Sequence, residues 1–210
     1  EKLQIAKDFL VRKQLEAMAD GGVVIIAPPD NPFRCPPGPY ERASLIANYL
    51  KTNKPRSKLL ILDAKDKFSK QALFEQGWNQ LYPGMIEWVK GADGGRIYRV
   101  DAATRTLYPE VGDPVTADVI NFIPPQKAGA IAHTAGLVNA DGWCPVDQRT
   151  FASTLAPNIH VIGDASIAGK MPKSGFAANS QAKVCAAAIV SELGGTPMPD
   201  PSYINTCYSL

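Results

Sequence analysis

The sequence has few cysteines and histidines, and their spacing excludes two kinds of site. Only four cysteines occur in 210 residues, at positions 35, 144, 185 and 207, and no two of them form a CxxC pair. They are too few and too widely spaced for a small disulfide scaffold. The two histidines, His133 and His160, are near none of them in the sequence, so we expect no zinc site.

The sequence also lacks a block of charge and a long hydrophobic run. Its net charge of +2 is spread along the chain, which gives no reason to expect attraction to nucleic acid or to an anionic membrane. No stretch approaches the roughly 20 apolar residues of a transmembrane helix. The first residues, Glu1–Ile5, do not have the pattern of a signal peptide. With 45% hydrophobic residues, the chain can bury a substantial core.

Apolar runs alternate with helical patterns, as is typical of an α/β domain. The predicted helices cover residues 3–18, 39–50 and 68–78, and the predicted strands cover residues 23–27, 59–63 and 85–89. The strands are continuous apolar runs, which indicates burial on both faces of a parallel sheet. The order strand, helix, strand predicts a βαβ unit with a right-handed crossover.

After residue 91 the alternation of apolar runs and helical patterns stops. Short strands are predicted at Arg96–Val100, Thr106–Tyr108 and Asp118–Phe122, as in a small antiparallel excursion. Beyond Gly142 we predict a strand over Asn158–Asp164, and then a long alanine-rich helix over residues 176–193 that follows a loop at residues 171–175.

Glycine is scarce in the first βα turn, where a dinucleotide-binding unit needs it for close approach of backbone N–H groups to a pyrophosphate. Residues 27–39 contain one glycine and six prolines. Because proline has no N–H, we expect that this turn does not bind NAD. Asp63, at the end of the second strand, stands where an acidic ribose partner would be, but without the glycines we interpret it as an exposed strand end.

Four segments together resemble the flavin-binding subunit of flavocytochrome c sulfide dehydrogenase. They are Phe33–Ala43 (FRCPPGPYERA), Val161–Ala165 (VIGDA), Met171–Gly175 (MPKSG) and Asn205–Ser209 (NTCYS). The resemblance runs the whole length of the chain, and the loop around Cys35 combined with Thr-Cys-Tyr is its most specific part.

The resemblance implies a fragment of an α/β protein with a three-layer, FAD/NAD(P)-binding, Rossmann-like domain, an antiparallel excursion and part of an FAD-binding domain. We expect a linking helix at residues 1–19, a degenerate NAD-type domain at 20–125, a second segment of the FAD-binding domain at 126–196, and the start of a C-terminal interface domain at 197–210. In this family a GxGxxG unit precedes these segments, and a domain facing a c-type haem subunit follows them.

The resemblance further implies that Cys35 and Cys207 form a redox-active disulfide beside the flavin ring. A sulfide nucleophile attacks such a disulfide and leaves a persulfide and a thiolate. The pair would also stabilise the fold, because it closes a loop of about 170 residues. Glu41 is the expected acid–base group, although the macrodipole alone favours an acidic residue in the first turn of a helix.

The expected cofactor contacts are Gly163, Asp164, Lys173, Ser174 and Gly175. The carboxylate of Asp164 would accept hydrogen bonds from the ribityl hydroxyls of FAD, with helix N-capping as the alternative. Gly163 would let the ligand approach the backbone. Ser174 and Gly175 begin the long helix, whose positive dipole end would stabilise charge on reduced flavin. Lys173 would add a charge there, unless it is an ordinary surface lysine.

The remaining cysteines and His160 are expected to have structural roles, and His133 has no partner visible in the sequence. Cys185 lies in an apolar helix, where a buried thiol behaves as a small hydrophobic group, and we expect Cys144 to be equally inert. His160 is interpreted as a packed strand residue.

The leading hypothesis is therefore sulfide oxidation, with electrons passed through FAD to the haem of a partner cytochrome c in the periplasm. The alternatives are a sulfide:quinone oxidoreductase, a pyridine-nucleotide disulfide reductase, and a non-catalytic domain that binds a cytochrome.

Overall fold

The computed structural model describes the backbone of residues 2–206 and the side chains of residues 10–206. The chain divides into two compact units. The first unit contains the chain up to Pro32 together with Pro36–Pro125. The second unit contains Phe33–Cys35 and the chain from Gln126 onward. The assignment of these units to parts of a larger flavoprotein stays a prediction.

The first unit begins with a regular alternation of helices and strands. Its elements are α1 (Lys2–Ala17), β1 (Val23–Ala27), α2 (Gly38–Asn53), β2 (Lys58–Leu62), α3 (Gln71–Leu81) and β3 (Ile86–Val89). They continue as β4 (Ile97–Asp101), β5 (Thr106–Pro109), β6 (Val115–Thr116) and β7 (Val119–Phe122). Every helix and strand predicted between residues 3 and 89 is present, with α3 beginning three residues later than expected.

A four-stranded parallel sheet with the order β3-β2-β1-β7 forms the centre of the first unit. Alternate residues of β1 enter different cores. Val24 and Ile26 pack with residues of α2 and α3, while Ile25 packs with Leu107 of β5. Both faces of the sheet are therefore buried, as the continuous apolar run predicted. Helices cover one face and the antiparallel sheet β4-β5-β6 covers the other, which makes three layers.

The prediction that Asp118–Phe122 belongs to the antiparallel excursion is wrong. Val119–Phe122 pairs in parallel with β1, whereas the third strand of the antiparallel sheet is Val115–Thr116. Asp118 itself accepts a hydrogen bond at Oδ2 from the N–H of Val23, at 2.8 Å, and so helps to set the register of β7 on β1. A turn at Ala117–Asp118 separates the two sheets, and the apolar character of the segment does not reveal which sheet it joins.

The second unit has little regular strand. Its elements are α4 (Ala130–Thr134), β8 (Cys144–Pro145), β9 (Ser166–Ile167) and α5 (Gly175–Gly194). The strand predicted over Asn158–Asp164 is not formed as a ladder. Residue 160 makes an isolated bridge with Ala152, and Gly163–Ala165 is a short 3₁₀ helix. In the described part of the chain this segment pairs only with residues 151–153, and these contacts are too few to form a strand ladder.

Candidate functional site

The first unit contains a buried carboxylate at the end of β2, the position of a ribose-binding acid in a dinucleotide-binding domain. Asp63 is fully buried, so its interpretation as an exposed strand end is wrong. Its Oδ2 accepts hydrogen bonds from the hydroxyl of Tyr40 at 2.5 Å and from Nε1 of Trp88 at 3.0 Å. Its Oδ1 accepts from the backbone N–H and the Nζ of Lys65, at 3.0 and 2.6 Å. Both oxygens of Asp63 are therefore used within the protein.

Backbone segments close the same end of β2. Nζ of Lys65 also donates to the carbonyl of Pro29 at 2.9 Å, which joins the proline-rich turn to the buried ion pair. Gly95 lies so close that a Cβ there would be 2.5 Å from the carbonyl oxygen of Asp63 and 2.1 Å from that of Val89. Only glycine allows this approach. The closed edge supports the expectation that the first unit does not bind NAD.

The second unit contains the Cys35 turn, defined as Phe33–Cys35. Phe33 is buried, and the N–H of Arg34 donates to Oε1 of Gln126 at 2.7 Å. The N–H of Cys35 donates to the carbonyl of Lys173 at 3.4 Å. Cys35 is exposed and has a φ of 57°, a conformation that is uncommon outside glycine. These contacts hold the turn in a conformation that presents Cys35 at the surface.

Gly163 and Asp164 form an open turn in the same unit. Gly163 has a φ of 71°, and its N–H donates to Oε1 of Gln181 at 2.6 Å. Asp164 lies inside the 3₁₀ helix rather than at its N-cap, so the capping alternative is wrong. Its carbonyl accepts from Nε of Arg34 at 2.5 Å. Its side chain is exposed, and among residues 10–206 its carboxylate accepts no hydrogen bond.

The residues that precede α5 complete this group. Ser174 is the N-cap of α5, since its Oγ accepts from the N–H of Ala177 at 3.1 Å and donates to Oδ1 of Asn205 at 2.7 Å. Gly175, the first residue of the helix, is exposed. Lys173 is half-buried, and its Nζ donates to the carbonyl of Ser166 at 3.1 Å. Burial, followed by the charge of Arg34, lowers the pKa of Lys173.

These residues fit a flavin nucleotide. The exposed carboxylate of Asp164 offers acceptors for ligand hydroxyls, and the positive end of the 20-residue helix α5 suits an electron-rich ring edge. Gly163 adds a stretch of backbone without a side chain. The structure therefore brings Asp164, Lys173 and Ser174 together with Cys35, although their roles remain predictions.

The other two expected catalytic residues are Cys207 and Glu41. Cys207 lies outside the described residues. Glu41 lies in the first turn of α2, in the first unit, and is half-buried. Cys185 is buried as predicted, Cys144 is buried as well, and burial raises the pKa of both thiols. Among the described residues there is no cluster of three or more metal-ligating side chains and no helix long and apolar enough to cross a membrane.

Sequence reasoning missed one residue of the group, Arg34. Its guanidinium carbon lies 3.3 Å from the ring centroid of Trp143. Its position in the Phe33–Ala43 segment, directly before Cys35, was the only available signal. The contact joins residues far apart in the sequence, and a local pattern does not reveal it.

Comparison with known proteins adds a family and a fold. The family model described as "Sulfide dehydrogenase [flavocytochrome c] flavoprotein chain, central" matches residues 8–124, more than half of the chain. Three solved structures are similar at 18% identity, which shows the fold alone. The sulfide:quinone oxidoreductase of Aquifex aeolicus has a TM-score of 0.63, over 83% of this chain and 44% of its own.

The other two similar structures are a chain of the Tetrahymena thermophila mitochondrial ATP synthase and an NAD-dependent persulfide reductase from A. fulgidus. Their TM-scores are 0.62 and 0.55, and the matches cover 90% and 91% of this chain. They cover 47% of the first protein and 34% of the second. The chain thus spans less than half the length of each of these three proteins.

Proposed function

The chain belongs to the family of the flavoprotein chain of flavocytochrome c sulfide dehydrogenase, and from this premise we propose that it oxidises sulfide at a Cys35–Cys207 disulfide next to FAD. The electrons pass to the haem of a partner c-type cytochrome subunit, with which the protein forms a heterodimer. The site of action is the periplasm, where a persistent disulfide is permitted.

One observation carries the proposal: the Cys35 turn belongs to the same compact unit as the residues that fit a flavin. The hydrogen bond from Cys35 N–H to the Lys173 carbonyl ties the turn to the residue just before Ser174, which caps α5. A cysteine that exchanges electrons with a flavin must lie close to the elements that hold it. The fold meets this requirement with segments that are far apart in the sequence.

The sulfur chemistry is a thiol–disulfide exchange. Hydrosulfide attacks one sulfur of the disulfide, so that a new S–S bond forms and the Cys35–Cys207 bond breaks: HS⁻ + Cys–S–S–Cys → Cys–S–SH + Cys–S⁻. The substrate sulfur is oxidised, the disulfide is reduced, and the negative charge moves to the leaving thiolate. A second hydrosulfide takes the outer sulfur of the persulfide, Cys–S–SH + HS⁻ → Cys–SH + HSS⁻, which leaves both cysteines reduced. When bound, FAD would supply the two-electron acceptor for re-forming the disulfide.

The residues of this chain have separate tasks in that scheme. Asp164 orients the cofactor through its ribityl hydroxyls, and Lys173, Ser174 and Gly175 provide positive potential at the start of α5. Glu41 accepts the proton of hydrogen sulfide or of the persulfide. The competing role of Glu41 is to stabilise α2 by interacting with the helix dipole.

The test follows the flavin absorbance of the intact protein with its cytochrome after sulfide is added without oxygen. The protein with the native sequence should bleach, and Cys35→Ser should not. Cys185→Ser is the matched control, because Cys185 is a buried thiol of the same unit, and it should bleach normally. Unchanged bleaching in Cys35→Ser would refute the proposed chemistry.

The acceptor is tested separately, because the related fold of a sulfide:quinone oxidoreductase makes quinone the main alternative. Sulfide-reduced protein should reduce the haem of the cytochrome and should not reduce a soluble quinone analogue. NADH should leave the flavin oxidised, since Asp63 and the proline-rich turn close the nucleotide edge of the first unit. Rapid reduction by NADH would favour a pyridine-nucleotide disulfide reductase.

A further inference from the structure

Arg34 is held in an orientation that leaves part of its guanidinium available. The ring of Trp143 covers one face at 3.3 Å, and Nε donates to the carbonyl of Asp164 at 2.5 Å. A guanidinium has five N–H donors, and in the described part of the chain only the one on Nε has a hydrogen-bond acceptor. The stacking and the Nε hydrogen bond fix the plane of the group, so that the Nη donors are oriented before any ligand arrives.

A second cation lies beside Arg34. The carbonyl of Lys173 accepts the hydrogen bond from the N–H of Cys35, and burial, followed by the charge of Arg34, lowers the pKa of Lys173, while the charge of Asp164 opposes this shift. Both cations are half-buried, and neither forms a salt bridge with a carboxylate among residues 10–206. The charge of Asp164 acts on both cations without a salt bridge to either, so two positive charges face one negative charge, and this excess of positive charge favours the binding of an anion.

We propose that Arg34 and Lys173 form an anion site at the Cys35 turn, and that Arg34 holds the hydrosulfide anion for its attack on the sulfur of Cys35. The identity of the anion rests on the proposed function, whereas the existence of the site does not. Arg34 is adjacent to Cys35 in the chain, and Lys173 is joined to Cys35 through the backbone. The site would select the charged, nucleophilic form of the substrate over neutral hydrogen sulfide.

The first experiment measures the electrostatic potential around the sulfur of Cys35 without using the enzymatic reaction. The reduced intact protein is alkylated with iodoacetate, which is an anion, or with neutral iodoacetamide, and the rate at Cys35 is read by peptide mass spectrometry. Both reagents need the same thiolate, so the ratio of their rates reports the local field and cancels changes in the thiol pKa. Arg34→Met should lower the iodoacetate-to-iodoacetamide ratio about fivefold, the size expected for one unit charge near the sulfur at a protein surface.

Matched variants separate charge from structure. Arg34→Lys should keep most of the ratio, because the positive charge remains. Arg99→Met is the control, since the Arg99 guanidinium carbon lies 3.4 Å from the ring centroid of Tyr108 in the first unit, a similar stacking geometry at another place. It should leave the ratio unchanged. An unchanged ratio in Arg34→Met, or an equal fall in Arg34→Lys, would overturn the anion site.

The second experiment tests the anion itself. Sulfide-dependent flavin reduction in Arg34→Met should show a KM for sulfide raised about tenfold with kcat changed much less, as expected when uniform binding is lost. A loss of kcat at unchanged KM would contradict substrate binding by Arg34. If the native protein fails to react with sulfide while the alkylation ratio still depends on Arg34, the proposed function fails and the anion site stands.

Discussion

The two units use the same residue types in opposite ways. Asp63 in the first unit follows β2, at the edge where α/β proteins bind nucleotides, and Asp164 in the second unit follows a segment that forms only an isolated bridge. Asp63 is fully buried and accepts four hydrogen bonds from within the protein. Asp164 is exposed, and its carboxylate accepts none among residues 10–206. The aspartate of the first unit stabilises the fold, while that of the second unit is open to a ligand.

The basic residues show the same contrast. The side chain of Lys65 is 6% exposed, and its Nζ lies 2.6 Å from Oδ1 of Asp63. Arg34 stacks on Trp143 and donates to a carbonyl, and among residues 10–206 it forms no salt bridge, although the charge of Asp164 acts on it. The buried Lys65 of the first unit has an ion-pair partner, whereas Arg34 and Lys173 at the Cys35 turn share only the nearby charge of Asp164. We therefore expect ligand chemistry in the second unit.

The largest expected effect is on the free energy of unfolding, and it tests the contrast between Asp63 and Asp164. Asp63→Ala leaves Lys65 buried without its partner and should lower the free energy of unfolding by about 3–5 kcal/mol. Asp164→Ala removes an exposed carboxylate without a hydrogen bond and should change that free energy by less than about 0.5 kcal/mol. Urea titration of both variants measures the difference. Equal losses would mean that the two aspartates do not differ as described.

A smaller effect concerns the cofactor. Asp164→Ala should weaken flavin binding by at least about tenfold, since a hydrogen bond to a charged group contributes roughly 1.5–3 kcal/mol. The flavin-to-protein absorbance ratio at limiting flavin measures this change. Asp141→Ala is the control, because Asp141 is another exposed aspartate of the second unit. A similar decrease in both variants would remove Asp164 from the cofactor site.

The smallest effect is a pH dependence confined to the first unit. Burial, followed by the charge of Asp63, raises the pKa of Tyr40. An unfolded tyrosine loses its proton near pH 10, whereas folded Tyr40 keeps its proton to higher pH. The unfolded state then binds fewer protons, so above about pH 10 the free energy of unfolding falls with rising pH, by up to about 1.4 kcal/mol per pH unit. Below that pH the contribution is constant.

Urea titrations between pH 8 and about 11 test this prediction in the native sequence and in Tyr40→Phe. The variant should lose the Tyr40 part of the slope, and Tyr98→Phe, at a tyrosine 63% exposed, should retain it. Parallel curves for the native sequence and Tyr40→Phe would show that Tyr40 does not titrate as described.

The sequence predicted the first unit well where local pattern determines structure. Val23–Ala27 is a run of apolar residues between glycine and proline, and it forms the strand that the pattern predicts. Sequence reasoning failed where a distant partner decides the outcome. Val119–Phe122 joins β1 instead of the antiparallel sheet, and the segment around His160 forms only an isolated bridge. Strand pairing is a long-range interaction that the sequence of one segment does not encode.

The candidate site was predicted by resemblance more than by pattern. Cys35, Asp164, Lys173 and Ser174 were each named from short motifs, and the structure brings their segments into one unit. The burial of Asp63 was not predictable, because its donors Tyr40 and Trp88 come from other elements. The role of Arg34 was missed for the same reason.

The central claim is that sulfide reacts at the Cys35–Cys207 pair. Its most direct test is to treat the intact oxidised protein with sulfide, block the thiols and persulfides with an alkylating reagent, and identify each cysteine by peptide mass spectrometry. We predict one additional sulfur atom on Cys35 or Cys207 and none on the buried Cys144 and Cys185. Flavin reduction by sulfide without an added sulfur on either Cys35 or Cys207 would contradict the account.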